Sequence, residues 1–202
     1  MRFFCLAIGY FFGCFLTAEV ISRRRSGQSA CEVGQKNPGA ANITSLYGLK
    51  WGVVTLLGDI LKTVLACVLC RYVLFPELGR AAFLWAGFGT AAGHGFPFWN
   101  RFRGGKSVAV TCTALVLFSP LWGLLSCLGG LFLRQLFKYP AVGAIAIPAL
   151  CTVFFFFTEG AEPCSLALLW TALLAVLHRG SLKRMLHRDE AKTDLFLEWR
   201  NR

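Results

Sequence analysis

Charged side chains are scarce in this chain, and acidic ones are the scarcest. Asp, Glu, Lys and Arg make up 15% of the 202 residues, against 56% hydrophobic residues, whereas about a quarter of a soluble domain is charged. The scarcity excludes an ordinary soluble domain and predicts an all-α integral membrane protein, with residues 1–202 as a single polytopic domain. The 21 Lys and Arg outnumber the 10 Asp and Glu, which in a membrane protein indicates cytoplasmic loops and not nucleic-acid binding.

Clusters that would hold a metal, and an evident Ser-His-Asp arrangement, are also lacking. The chain has nine cysteines, but most lie inside apolar runs, where a cysteine acts as a small buried hydrophobe. The pair Cys67 and Cys70 lies on a predicted spanning helix without nearby histidines. We therefore predict no metal site and no cofactor.

Long apolar runs predict a compact bundle of seven transmembrane helices, some of them short. Ser119-Pro120 divides one long run, because proline ends helices and the residue before it avoids the helical region. The segment 23–50 is predicted to be a polar loop, and 179–202 a charged, partly amphipathic cytoplasmic tail. No small-residue cleavage site precedes Arg23, so the first run is predicted to be a retained helix and not a signal peptide. The predicted helices are 3–22, 51–75, 80–98, 107–118, 121–137, 140–157 and 164–178.

The distribution of basic residues predicts which side each loop faces. With the N-terminus outside and the C-terminus in the cytoplasm, inner segments hold 17 of the 21 Lys and Arg, as the positive-inside rule requires. The acidic loop 158–163 then lies outside. This topology places the loop 23–50, the loop that follows the third helix and the tail on the cytoplasmic face.

A glycine-rich polar segment, residues 93–107, interrupts the apolar pattern most strongly. Backbone near a bilayer must satisfy its hydrogen bonds unless it lies in protein or lines a cavity. The pair Gly104-Gly105 allows backbone N–H groups to approach an anion, and Lys106 adds a point charge. The segment predicts an anion-binding loop, although His94 could be an interfacial histidine bonded to backbone, and Arg101 and Arg103 ordinary positive-inside charge.

Three further patterns accompany this loop, and each has a plain alternative. The turn 34–42, with Asn37, Gly39 and Asn42, predicts either a simple connection or a rigid anion-binding turn. Asp59 and Lys62 are one helical turn apart and predict a structural ion pair or a functional one. The segment 178–190 predicts either a site or a basic tail that binds anionic headgroups.

Taken in order, these four segments resemble the bacterial acyl-phosphate:glycerol-3-phosphate acyltransferase family, PlsY, over nearly the whole chain. The family's Gly-Ser-Gly-Asn-Pro-Gly-Ala-Thr-Asn is matched from Asn37 to Ala40 and at Asn42, and its Asp-x-x-Lys at Asp59 and Lys62. Its glycine-rich block and its final block are matched at Gly93, His94, Phe96, Pro97, Phe102, Gly104, Gly105, Lys106, Val108, Ala109, His178, Arg184, Glu190 and Lys192.

The resemblance implies transfer of a fatty acyl group from acyl-phosphate to glycerol-3-phosphate, giving lysophosphatidic acid. It implies a multi-pass protein of the bacterial inner membrane with seven helices and the N-terminus outside, surrounded by membrane lipids. We expect a monomer. The catalytic residues it implies are Lys106, His178 and Asn42. The residues expected to bind substrate or phosphate are Asn37, Gly39, Gly104, Gly105, His94, Arg184 and Glu190.

Several family residues are replaced. Gln35-Lys36 stands for Ser-Gly, Ser45 for an arginine and Ser107 for a glycine. Ala41, Ala141, Ala144 and Ser181 replace Thr, two Ser and Asn. These replacements raise an alternative, a relative that is inactive or altered, binding a lipid phosphate or using another acceptor. A small transporter is disfavoured, because the polar residues of a transporter should lie near the membrane midplane. The polar residues of this chain are predicted to gather on one face.

Overall fold

The computed structural model describes residues 1–193, which form helices and no strand. They divide into two compact units, Met1–Phe118 and Ser119–Arg202, the second described as far as residue 193. Each unit is considered by itself. The part of the predicted tail from 194 to 202 lies outside the described residues. That residues 1–202 form a single domain stays a prediction.

The first unit contains six α-helices. A π-helical segment, Leu69–Leu74, continues α4, and short 3₁₀ turns lie at Pro76–Leu78 and Phe98–Asn100. The helices are α1 (Arg2–Gly13), α2 (Thr17–Ser26), α3 (Ala40–Tyr47), α4 (Leu49–Val68), α5 (Ala81–Gly95) and α6 (Val108–Phe118).

Glycines bring α1 and α5 into direct backbone contact. A Cβ on Gly9 would lie 2.0 Å from the Ala86 carbonyl oxygen, and one on Gly89 would lie 2.1 Å from that of Leu6. Gly13 and Gly93 continue the two rows one turn further along, with equally close backbone neighbours. Small residues four apart allow membrane helices to approach this closely, and this contact positions the end of α5, where the glycine-rich loop begins.

The first predicted helix, 3–22, is wrong as a continuous element. The chain leaves the helix after Gly13 and resumes it at Thr17, with Leu16 extended. The break is tolerated because side chains from elsewhere, Lys62 and Trp99, donate hydrogen bonds to the carbonyl groups it releases, as a break within a membrane requires.

Half of the predicted loop 23–50 is also helical. The second helix runs to Ser26, and α3 occupies residues from Ala40 to Tyr47. Gly39 precedes α3 in an extended conformation and its carbonyl accepts the first helical hydrogen bond, from Ile43 at 3.1 Å. The truly irregular part of this segment is therefore only 27–39.

As far as residue 193, the second unit contains four α-helices. Gly130 on one helix approaches the Gly143 carbonyl oxygen on the next, where a Cβ would be 2.7 Å away, and Trp122 stacks on Phe154 at 4.7 Å. The tail predicted from 179 onward begins as a helix bent by 67° from the one before it. The helices are α7 (Pro120–Phe137), α8 (Pro140–Thr158), α9 (Ala161–Leu177) and α10 (Arg179–Leu186).

Within residues 1–193, four helical segments are long and apolar enough to cross a membrane, or five if the bent α9–α10 pair counts as one span. They are residues 2–26, 49–74, 120–137 and 140–158. The predicted third and fourth spans correspond to α5 and α6, which have 15 and 11 residues, fewer than the about 20 of a full span. Seven transmembrane helices therefore stay a prediction.

Candidate anion-binding site

The glycine-rich loop follows α5, and two positive φ angles and a backbone hydrogen bond define its shape. Arg101 and Phe102 have positive φ angles of 53° and 58°, a conformation that costs a non-glycine residue roughly 1–2 kcal/mol. The Gly105 N–H donates to the His94 carbonyl oxygen at 3.0 Å. The sequence predicted that both glycine amides bind the anion; this bond leaves the Gly104 N–H as the candidate donor of the pair.

Neither Gly104 nor Gly105 has space for a side chain. A Cβ on Gly104 would lie 2.0 Å from the His94 carbonyl oxygen, and one on Gly105 would lie 2.2 Å from Nε2 of the His94 ring. The same Cβ would be 3.0 Å from the Pro38 carbonyl oxygen. Gly105 thus lies between the histidine and the Asn37-Pro38-Gly39 turn, so the structure brings the two predicted anion-binding motifs together.

Ser107 shows how the chain accommodates one departure from the family pattern. Its φ angle is +56°, a conformation in which glycine has no steric penalty. The serine hydroxyl donates to the Ala91 carbonyl oxygen at 2.7 Å in a buried position, a bond worth about 1 kcal/mol. That hydrogen bond offsets the cost of the positive φ angle at Ser107. The preceding residue, Lys106, is half-buried.

Asn42 holds together the irregular segment 27–39, which we call the first loop. Its Oδ1 accepts from the Gln35 N–H at 2.8 Å, and its Nδ2 donates to the carbonyl oxygens of Ala30 and Val33 at 3.1 and 3.2 Å. A side-chain amide has one acceptor oxygen and two N–H donors, and here all of them contact loop backbone. The predicted catalytic role of Asn42 stays untested, while these contacts give it a positioning role.

Asn37 and Gly39 lie at the turn that meets Gly105. A Cβ on Gly39 would be 3.0 Å from Nδ2 of Asn37, and both residues are half-buried. Gly34 and Lys36 both have positive φ, at 58° and 53°. Lys36 stands where the family pattern has a glycine, so the side chain that is new to this chain occupies a backbone conformation that suits glycine.

Cys31 links the two loops a second time. Its thiol donates to the Arg103 carbonyl oxygen at 3.5 Å and accepts from Nδ2 of Asn100 at 3.3 Å. Burial raises the pKa of the Cys31 thiol above its ordinary value, which keeps it protonated and able to donate. The connection places the 27–39 loop against the turn that leads into the two glycines.

Asp59, Lys62 and His94 form a buried cluster beside the glycine-rich loop. The Lys62 ammonium is 2.9 Å from Oδ1 of Asp59 and 2.7 Å from Nδ1 of His94. All three residues are at most 5% exposed. The ion pair predicted from the spacing is present, and it includes the histidine. That His94 binds phosphate stays a prediction.

The final motif lies in the second unit, around the bend between α9 and α10. His178 is buried, and its Nδ1 donates to the Leu174 carbonyl oxygen at 2.9 Å, so the neutral ring carries its acceptor nitrogen at Nε2. Arg184 bonds to Glu190 and to the hydroxyl of Ser181. Arg184 of α10 and Glu190, which follows that helix, therefore contact each other, and their role toward substrate stays a prediction.

Sequence reasoning missed Glu19. This carboxylate is 2% exposed and accepts from Nε of Arg23 at 2.7 Å, from the Ser29 hydroxyl at 3.1 Å and from the Ala30 N–H at 2.9 Å. It fixes the start of the first loop. A signal was available, because an acidic residue inside an apolar run is costly unless it is paired or functional.

Comparison with known proteins gives consistent matches. The profile of a family described as Glycerol-3-phosphate acyltransferase matches residues 3–188. The chain is 39% identical over 137 residues to glycerol-3-phosphate acyltransferase 1 of Lactobacillus johnsonii, covering 68% of this chain and 66% of that protein. It is 31% identical over 188 residues to the glycerol-3-phosphate acyltransferase of Burkholderia lata, and this match covers 92% of this chain and 87% of that protein. The crystal structure of PlsY (YgiH), an integral membrane glycerol 3-phosphate acyltransferase, in its glycerol 3-phosphate form is similar with a TM-score of 0.83, at 25% identity and covering 98% of each chain.

Proposed function

Because the chain belongs to the glycerol-3-phosphate acyltransferase family, we propose that it transfers a fatty acyl group from acyl-phosphate to glycerol-3-phosphate. The products are lysophosphatidic acid, for phospholipid synthesis, and phosphate. The observation that carries the proposal is the meeting of the Asn-Pro-Gly turn and the Gly-Gly-Lys loop at Gly105 and Pro38. The comparisons give no support to an inactive relative or one with another acceptor, so neither is proposed.

The chemistry asks mainly for binding and orientation. An acyl-phosphate is a mixed anhydride, so its carbonyl carbon is already activated. An acceptor hydroxyl oxygen forms the new ester bond as the bond from the carbonyl carbon to the phosphate oxygen breaks, and the released phosphate takes up the hydroxyl proton. Two anionic phosphates must be held close together, and holding reactants in a reactive geometry can supply about 7–11 kcal/mol of the barrier.

Within the first unit, we propose that Lys106 and the Gly104 N–H bind a phosphate. A loop amide and a lysine ammonium together form the kind of site that backbone nests provide for anions. Asn37 and Gly39 line the same site from the adjoining turn, and Asn42 holds the loop that leads into this turn. Each of these assignments is supported by the close approach at Gly105 and by the family motif.

In the second unit, the family motif supports a role for His178 toward the acceptor. With Nδ1 donating to a carbonyl, Nε2 is the nitrogen that would accept a hydrogen bond from a hydroxyl group. Arg184 and Glu190 are proposed to bind substrate phosphate through the arginine, with the glutamate holding its guanidinium in one orientation. Arginine binds phosphate well because its planar fork presents several N–H groups.

We also propose the membrane setting. Bacterial relatives and an integral membrane neighbour support a multi-pass protein of a bacterial membrane, here the inner membrane. Seven spans, the N-terminus outside, a cytoplasmic C-terminus and a monomer complete the proposal. The Lys and Arg distribution supports this orientation, and surrounding lipids would deliver the acyl donor laterally.

The activity is tested with purified protein in lipid nanodiscs, palmitoyl-phosphate and radiolabelled glycerol-3-phosphate. We expect labelled lysophosphatidic acid in proportion to enzyme and time, and none when palmitoyl-phosphate is left out. Product that fails to form with folded, monodisperse protein would contradict the proposed function.

The orientation is tested by labelling single introduced cysteines in intact cells with a membrane-impermeant maleimide. Lys50→Cys and Ala161→Cys suit this purpose because both residues are exposed. In a background with the native cysteines replaced, we expect labelling at 161 without permeabilisation and at 50 only after it. The reverse pattern would mean an inverted topology, and equal labelling at both would mean an even number of spans between them.

A further inference from the structure

Lys62 is a charged residue in the apolar α4, and its ammonium makes three short contacts in three directions. Its Nζ lies 2.7 Å from Nδ1 of His94, 2.8 Å from the Phe15 carbonyl oxygen and 2.9 Å from Oδ1 of Asp59. An ammonium group has three N–H donors. Those of Lys62 donate to Nδ1 of His94 and to the backbone carbonyls of Phe15 and Gly13, whereas Asp59 makes an ion-pair contact without a hydrogen bond. The Gly13 carbonyl oxygen lies further away, at 3.4 Å. This arrangement is more specific than an ion pair that only neutralises charge.

One of these contacts holds the break in the first apolar helical segment. Between α1 and α2, the carbonyl groups of Gly13, Cys14 and Phe15 leave the helical ladder. Lys62 donates to the last of them, and the Trp99 indole donates to Cys14 at 2.8 Å. A break inside a membrane persists only where other groups satisfy the freed backbone, so Lys62 determines where the chain bends.

The bend fixes the first loop through α2. Glu19 lies in the first turn of α2 and accepts from the hydroxyl of Ser29 and the N–H of Ala30. The Ala30 carbonyl in turn accepts from Asn42. The contacts run from α2 through Ala30 to Asn42, in the first turn of the helix that directly follows the Asn-Pro-Gly turn.

Another contact fixes the glycine-rich loop through His94. Because Nδ1 accepts from Lys62, the neutral ring carries its proton on Nε2. That nitrogen faces Gly105, with no space for a Cβ between them. The Gly105 N–H also donates to the backbone carbonyl of the same histidine. A ring that rotated away from Lys62 would move the loop that carries Lys106.

We propose that Lys62 is a positioning residue for acyl transfer, whose single ammonium holds both anion-binding loops in register. The inference rests on the proposed function. The Asp59–Lys62 pair then serves the site: the carboxylate neutralises the ammonium, while the N–H groups of the ammonium fix the helix break and the histidine.

The test compares Lys62→Met with the double variant Asp59→Asn/Lys62→Met and with Lys50→Met. The double variant leaves no uncompensated buried charge, which is the usual cause of misfolding when half of a buried pair is removed. Lys50 is the matched control, an exposed lysine on the same helix. Each protein is assayed with palmitoyl-phosphate and glycerol-3-phosphate in nanodiscs, after its monodispersity and helix content have been checked.

We expect kcat/KM to fall about ten- to a hundredfold in the Lys62 variants, because a loop displaced by about 1 Å can cost a hundredfold. We expect a higher KM for glycerol-3-phosphate to account for part of the lower kcat/KM. A loss of folded protein alone would lower kcat and leave KM unchanged. Lys50→Met should stay within about twofold of the parent, as is usual for surface changes.

Histidine ¹⁵N spectra supply a readout that does not depend on activity. The chain has three histidines, and His94→Gln assigns the relevant signals. In the parent, Nδ1 of His94 should be the unprotonated nitrogen, and both Lys62 variants should shift that signal and the Gly105 amide. Unchanged His94 and Gly105 signals, or an unchanged KM, in a folded Lys62 variant would overturn the positioning role. A parent protein without acyl transfer would instead contradict the proposed function, whatever the spectra show.

Discussion

Lys106→Ala is expected to lower the affinity for a non-hydrolysable acyl-phosphonate about ten- to a hundredfold, and Arg101→Ala and Arg103→Ala much less. A charge-assisted phosphate contact is worth roughly 1.5–3 kcal/mol. Lys106 is half-buried and follows a glycine whose position is fixed by His94 and Pro38. The two arginines are exposed, and solvent weakens what an exposed charge contributes.

Binding is measured by titrating the phosphonate into each variant in nanodiscs at constant ionic strength. The arginine variants are matched controls, since each removes one positive charge from the same loop. When the titrations are repeated at a higher salt concentration, the small losses of affinity in the arginine variants should shrink further, because salt screens exposed charges. Equal losses in all three variants would show a diffuse basic surface in place of a defined site.

The glycine-rich loop could be predicted from sequence because its chemistry is local. Two adjacent glycines and a lysine between apolar runs have few structural explanations, and the structure gives the reason for both glycines in the carbonyl and ring atoms of His94. What sequence could not supply was the partner on the other side. Contact with Pro38 depends on how α2 and α3 bring the 27–39 loop back, which is a property of the fold.

The break between α1 and α2 could not be predicted, since its cause lies far along the chain. The segment contains no proline, and its composition suits a continuous helix. The groups that stabilise the break are Lys62 and Trp99, separated from it by 47 and 85 residues respectively. The i, i+3 spacing of Asp59 and Lys62 predicted their pairing, but spacing within one helix says nothing of the groups on other elements to which the lysine donates its hydrogen bonds.

The roles of individual side chains toward substrate stay predictions, and the protein contacts of these side chains could not be predicted from the motifs that contain them. Asn42 was expected to be catalytic, and its amide contacts the backbone of its own loop on all sides. His94 was expected to bind phosphate, and it contacts Lys62 and Gly105. A motif identifies residues that act together, whereas which of them touches substrate depends on hydrogen bonds that only coordinates reveal.

Gly105→Ala is expected to reduce acyl transfer about a hundredfold, the scale of a displacement of about 1 Å at a reacting centre. The added Cβ would lie 2.2 Å from Nε2 of His94 and 3.0 Å from the Pro38 carbonyl oxygen. A flexible side chain could turn away at little cost. The His94 ring cannot, because Lys62 holds Nδ1 at 2.7 Å, and so the loop must move and carry Lys106 with it.

Gly129→Ala is the matched control for this change. Its Cβ would meet only Cδ1 of Leu150, at 2.6 Å, which is the free end of a flexible side chain. Activity, phosphonate affinity and thermal stability are measured for both variants. We expect Gly105→Ala to lose activity and affinity together, because the loop that binds the anion is displaced, and Gly129→Ala to keep both within about twofold. A Gly105→Ala protein with the parent's affinity and turnover would mean that the ring and the turn yield without moving Lys106, and that the close approach of the two motifs is not what forms the site.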